Sequence, residues 1–189
     1  MRIESNVSVQ VPGEALYGAG GASAELRDYV FLSPDWVHEV ARVVHKARSS
    51  DQYFGNLVAD LNLNLLYRIQ KLPAKLRKHY GGASEALIFA VVEKGVARRI
   101  DIGVEAPSEP VHVLVTLDYK VAKQLYLGES SAAASVVSQR VKAKPVNGFR
   151  HWPRIAAKSL VTVNRVLRLA RKVPTKFHQP REAVAARVC

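Results

Sequence analysis

From residue 59 to 70 the side chains alternate with a period of two. Ala59, Leu61, Leu63, Leu65, Tyr67 and Ile69 fall on one side; Asp60, Asn62, Asn64, Arg68 and Gln70 fall on the other, and Leu66 alone breaks the polar side. Successive side chains of a strand point to opposite faces, so this pattern predicts a long antiparallel strand with one wet face, stopped by Pro73. Ahead of it the period lengthens. Trp36, Val37, Val40, Val43, Val44 and Ala47 share one helical face, while Glu39, Arg42, Lys46 and Arg48 take the other. Ser33 stands at the N-cap of this helix, Pro34 at its first position and Asp35 at the positive end of its dipole. Ser49-Ser50-Asp51 ends it.

Residues 87–92 and 96–104 flank Glu93-Lys94-Gly95, a short hairpin connection, and 111–117 forms a further strand. A helix over 119–127 follows an N-cap at Thr116 or Asp118 and stops at Gly128. Residues 131–139 read as a short helix, 141–146 as a strand, and 152–172 as a last helix ended by Pro174. Near the start, Val7, Val9 and Val11 alternate with Ser8 and Gln10 as a short strand does, Pro12-Gly13 stops it, and 17–24 is a loop rich in Gly, Ala and Ser. This order predicts an α+β chain with helices gathered to one side of a mostly antiparallel sheet.

Particular strings sit at fixed places in that order. Phe31-Leu32-Ser33-Pro34-Asp35-Trp36 opens the first helix, Thr116-Leu117-Asp118-Tyr119 leads from a strand into the following helix, and Leu125-Tyr126-Leu127-Gly128-Glu129 ends that helix. A small-residue helix, a Lys-rich strand at 141–146 and a long amphipathic helix follow. In this layout they resemble the sterol carrier protein type 2 family of lipid-binding domains over residues 30–177. The resemblance implies a five-stranded sheet, helices packed on one side of it, and an apolar tunnel between the two layers that holds a fatty acid, acyl-CoA, sterol or other lipid without chemistry. It divides the chain into an N-terminal extension (1–29), a sterol-carrier-like domain (30–177) and a basic tail (178–189). The extension, the tail and the strong basicity of the last helix depart from the family's pattern. Leu117, Leu125, Val137, Leu160, Val163 and Leu167, on helices or strand ends flanking the sheet in this layout, are the expected lipid-binding residues. The apolar faces themselves suit a filled core as well as hydrocarbon. A chain of about a dozen methylenes gains roughly 10 kcal/mol gross on leaving water, at ~0.8 kcal/mol per group.

Charge adds a second theme. Residues 1–139 carry 15 Lys and Arg against 15 Asp and Glu, whereas 140–189 carry 13 against Glu182 alone, so the whole formal charge of +12 lies in the last fifty positions. A neutral body with a cationic end points to an anionic partner met by one face. Arg154, Lys158, Arg165, Arg168 and Lys172 are spaced to lie along one stripe of the last helix. Such a stripe is either a solvated face whose stems shield the core or a surface for anionic lipid head groups or an acyl-CoA phosphate. Nucleic acid is the alternative partner, although only Phe149, Trp152 and Phe177 are available there for base stacking.

Candidate chemistry is sparse. Histidines at 38, 45, 79, 112, 151 and 178 are scattered, and the single Cys189 supports neither a metal site nor a disulfide framework. Gly18-x-Gly20-Gly21 lacks the Lys-Ser/Thr of a phosphate loop, and no nucleophile elbow, kinase motif or dinucleotide fingerprint occurs. No catalytic centre, metal or cofactor is expected. With 189 residues, 48% of them hydrophobic, the chain suffices for one domain with a substantial core. No apolar run reaches about 18 residues, and no basic-then-apolar leader opens the sequence. The expectation is a soluble, cytoplasmic, non-catalytic lipid-binding or lipid-transfer protein. Its partners would be a long-chain lipid or acyl-CoA and, peripherally, an anionic membrane; the alternative is a nucleic-acid-binding protein using the basic C-terminal segment.

Overall fold

The computed structural model describes residues 7–10, 28–103, 107–146 and 152–177. The main sheet contains β1 (Val7–Gln10), β3 (Leu63–Gln70), β4 (Ala86–Glu93), β5 (Val96–Gly103), β6 (Val113–Asp118) and β7 (Val141–Pro145), in the order β1-β5-β4-β3-β6-β7. A two-stranded parallel sheet joins β2 (Tyr29–Val30) to β8 (Thr175–Lys176). Of the expected 1–29 extension only 7–10 and 28–29 are described, and the basic tail 178–189 and the Gly18-x-Gly20-Gly21 string lie outside the described residues.

The expected α+β architecture is present, with a sixth strand and one change of direction. β3 runs parallel to β6, while all other pairings in the main sheet are antiparallel. The β4–β5 hairpin returns the chain to the direction of β3, and parallel neighbours require the connection to cross back over the sheet. Residues 107–110 form part of that crossing on the face away from the helices. There Glu109 meets Arg99 at 2.6 Å, and Asn64 Nδ2 donates to the Pro110 carbonyl at 2.9 Å. On the same face Leu87 and Phe89 are buried, with the Arg99 guanidinium 5.8 Å from the Phe89 ring centroid. The face expected to be wet is therefore sealed at its centre.

The helical layer comprises α1 (Pro34–Ser50), α2 (Gln52–Val58), α3 (Ala74–Arg77) continued by a 3-10 turn at Lys78–Tyr80, α4 (Tyr119–Leu127), α5 (Ala132–Val137) and α6 (Trp152–Ala170). The Ser33 hydroxyl caps α1 by accepting from Trp36 N at 3.3 Å. Asp51 does not merely end α1: its carboxylate accepts from Phe54 N at 3.0 Å and starts α2. The strand expected from residue 59 thus begins at Leu63, because the preceding residues are spent on a helix that buries Phe54 and Val58. Lys94 and Gly95 both have positive φ, 48° and 73°, the geometry of a tight two-residue hairpin. A Cβ on Gly95 would lie 2.4 Å from the Val58 carbonyl oxygen, so this turn tolerates only glycine. Tyr80, unmarked in the sequence pattern, is sealed in the core and donates its hydroxyl to the Leu32 carbonyl at 2.6 Å. No described helix is long and apolar enough to cross a membrane.

Candidate functional site

Two buried clusters lie between sheet and helices, with partly buried residues packed against both of them. One buried cluster joins Ile69, Ile88, Ile100 and Leu117 of the sheet to Phe31, Trp36, Leu125 and Tyr126 of the helical layer. A second joins Leu63 and Val113 to Phe54, Val58, Leu61 and Leu169. β3 runs from one cluster to the other: Leu63 and Ile69 are sealed, but Leu65 and Tyr67 between them keep accessible surface. β6 repeats the pattern, with Val113 and Leu117 buried and Val115 only partly buried between the two clusters. On the helical side Val43 of α1 also packs against both clusters, and Leu160, Val163, Val166 and Leu167 of α6 are partly buried.

Side chains at the middle of central strands, beneath a helical layer, are sealed wherever a core is filled to native density. Leu65, Tyr67 and Val115 retain accessible surface between buried neighbours on their own strands while packing against the clusters. Two hydroxyl-bearing residues fall within these apolar faces. Tyr67 lies in register between Ile88 and Val115 on the helix-facing side of β3. Burial raises its phenol above the ordinary tyrosine value, so it stays neutral. Ser159 interrupts the apolar face of α6 one turn after Ile155 and one turn before Val163, at the boundary between the clusters.

An aromatic group closes the first-cluster end. Phe31 packs on Trp36 with centroids 4.8 Å apart at 72°, and on Tyr126 and Phe177 at 5.1 Å each. Trp36 Nε1 and the Tyr126 hydroxyl both donate to Thr175 Oγ1, at 2.9 and 2.8 Å, and Thr175 donates its own proton to the Val173 carbonyl at 2.7 Å. Tyr119 packs beside Phe31; its hydroxyl is buried without a hydrogen-bond partner, and desolvation pushes its pKa up to about 12. Arg171 donates to the Leu125 and Tyr126 carbonyls, satisfying the end of α4 against α6. This end is closely packed and hydrogen-bonded.

The structure divides the expected lining residues. Leu117 and Leu125 belong to the sealed first cluster, whereas Leu160, Val163 and Leu167 are partly buried and pack against it. Val137 does neither. It is 84% exposed, because α5 turns Ala132 and Ser135 inward and sends Val136 and Val137 outward. Tyr67, Val115, Val43 and Ser159, all partly buried, were not among the expected lining residues, although the periodicity already placed Tyr67 and Val43 on apolar faces. The two hydroxyl-bearing positions within otherwise apolar faces were the available signal.

The basic stripe is also divided. Lys158 pairs with Asp60, and Arg165 pairs with Asp51, tying α6 to the two ends of α2. Arg168 and Lys172 are exposed, and the Arg154 side chain lies outside the described residues. The acids that engage the stripe lie about a hundred positions earlier in the chain. A separate depression of about 360 Å³, lined by Gln70, Lys71, Arg77, Ser84 and Glu85, is polar and unsuited to hydrocarbon. No group of three or more His, Cys, Asp or Glu among the described residues is arranged to hold a metal ion.

No protein-family model matches the sequence, and neither does any curated protein. Solved structures do match. A conserved hypothetical protein of Thermus thermophilus, described as a possible sterol carrier protein, superposes with a TM-score of 0.58 at 12% identity, over 79% of this chain and 94% of that one. A crystal structure of sterol carrier protein 2 superposes with a TM-score of 0.53 at 12% identity, over 71% of this chain and 95% of that one. The chain therefore has the sterol-carrier fold, and the resemblance in the order of its elements is borne out at that level.

Proposed function

We propose that this protein binds one long-chain lipid, a fatty acid, acyl-CoA or related molecule, in a gap between the sheet and helices α1 and α6, without catalysing a reaction on it. The observation that carries the reading is the interrupted core: apolar residues at mid-strand on β3 and β6 keep accessible surface while the residues at both ends of those strands are sealed. Apolar surface left unfilled in a folded domain forfeits burial worth about 25 cal/mol per Å², and a hydrocarbon chain recovers it. The shared fold with a sterol carrier protein supports a lipid cargo. The exposed cations Arg168 and Lys172 at the end of α6 support peripheral contact with an anionic membrane.

Titration with a fluorescent long-chain fatty acid tests the proposal. Saturable binding at one probe per chain is expected, displaced by unlabelled long chains and not by short ones. Equal competition by short and long chains would refute it. Mass spectrometry of an organic extract of the purified protein gives an independent readout, because an enclosed apolar site retains its ligand.

A further inference from the structure

At one end of the helical layer apolar side chains are held out toward solvent. The phase of α5 is fixed from within: Ser131 Oγ caps it by accepting from Ala134 N at 3.1 Å, and the fully buried Ser135 shares a 2.8 Å hydrogen bond with Ser130. With Ala132 and Ser135 turned inward, Val136 and Val137 project, 37% and 84% exposed. The segment that carries them starts and ends on α4. Leu127, the last residue of α4, is 43% exposed, and Arg140, just beyond α5, returns to donate to Gln124 Oε1. Gln124 lies one turn before Leu127 and one turn after Lys120 on the same face of α4. The rim of this apolar group is cationic. Lys120 and Arg140 are exposed on it. Arg171 of α6 reaches the Leu125 and Tyr126 carbonyls, which brings its exposed neighbours Arg168 and Lys172 to the same end. Glu129 is the one acidic residue between Asp118 and Glu182. Exposed apolar groups rimmed by charge mark interaction sites.

We propose that this outer face of α4 and α5 is where the protein seats on an anionic membrane, with Leu127, Val136 and Val137 entering the headgroup layer and the surrounding cations lying over acidic headgroups. The inference rests on the lipid-carrying reading above and names the surface through which such a carrier meets a bilayer. Apolar tips alone would bind neutral and anionic bilayers alike, and cations alone would stay at the surface; together they select an anionic bilayer and hold to it. None of these residues offers an aromatic ring on which a nucleic-acid base could stack. A second copy of the chain would bring the same cations against themselves.

Co-sedimentation with vesicles of phosphatidylcholine, alone and mixed with phosphatidylserine, tests the proposal. The wild-type protein is expected to bind the mixed vesicles and not the neutral ones. Val136→Ser combined with Val137→Ser should weaken binding to the mixed vesicles about tenfold, the loss of roughly two methylenes from lipid contact, while what remains stays salt-sensitive. Lys120→Ala combined with Arg140→Ala should weaken it roughly thirtyfold, the worth of two charges near an anionic surface. Tyr53→Ser, at a site 72% exposed on α2, should leave it unchanged. Undiminished binding by the valine variant, or an equal loss in Tyr53→Ser, overturns the proposal. So does a change of oligomeric state in the valine variant without vesicles, read by light scattering, which would make the face a contact between copies. Val137→Ser alone carries the test should the pair fail to fold. Titration with the fluorescent fatty acid separates the two readings, since every variant is expected to bind that probe as the wild type does. A wild-type protein that docks but takes no fatty acid refutes the cargo reading; one that takes fatty acid and ignores both kinds of vesicle refutes the docking face alone.

Discussion

Replacing Val163 by tryptophan distinguishes a gap from a filled core at the point where they differ most. Val163 is partly buried and faces the boundary of the first cluster. In a filled core the added indole would have to displace neighbours, and overpacking costs ~1–3 kcal/mol. For a domain of this size that corresponds to a fall in Tm of roughly 2–12 °C. In a gap, the ring enters space that ligand otherwise occupies. An indole there excludes about three methylenes, which at ~0.8 kcal/mol each removes roughly 2.4 kcal/mol, or about fiftyfold in affinity. The expected result of Val163→Trp is therefore loss of fatty-acid binding by about fiftyfold with Tm nearly unchanged. Fluorescence displacement reads the first quantity and thermal unfolding followed by circular dichroism reads the second. Unchanged binding together with a large fall in Tm would show that Val163 sits in close-packed core and would refute the reasoning.

Gly95→Ala should destabilise the fold far more than Gly81→Ala, since both have positive φ but only Gly95 brings a Cβ to 2.4 Å from the Val58 carbonyl; denaturant midpoints check the order. Asp51 is held below the usual carboxylate range first by the Phe54 backbone N–H and then by Arg165. A depressed folded pKa contributes stability above the unfolded value and loses it as pH falls through the folded one. The stability difference between the wild-type protein and Asp51→Asn should accordingly shrink as pH drops below about 4, and a difference independent of pH would contradict it. Arg168→Ala with Lys172→Ala should weaken binding to anionic vesicles roughly thirtyfold, at about 1 kcal/mol per charge. Lys158→Ala with Arg165→Ala should affect vesicles less, because these cations already face Asp60 and Asp51. Equal losses in a co-sedimentation assay would show that the whole stripe faces the membrane.

The amino-acid sequence by itself determined the features whose physics is local. The cap of α1 at Ser33, the stop of α4 at Gly128 with its φ of 82°, and the Lys94-Gly95 turn depend on residues within one or two turns of chain. Period-two and period-3.6 patterns likewise assigned β3, α1 and α6 their apolar faces. Only the tertiary structure decided what those faces meet. The parallel pairing of β3 with β6 follows from a crossing between strands far apart in sequence, and it sealed a face whose polar alternation read as solvated. Asp51 and Asp60 neutralise part of a stripe whose charges, counted along α6 alone, looked free, and the phase of α5 sends Val137 to solvent.

The division of the core is likewise a matter of three dimensions. Phe54 lies in one buried cluster and Phe31, Trp36 and Tyr126 in the other, while Val43, Ala90, Val115 and Val163 are only partly buried against them. Each is an ordinary core choice in its own element, so no stretch of sequence shows which of them the fold seals. That is settled only once residues from distant positions are brought together, because burial depends on neighbours that the local pattern does not name.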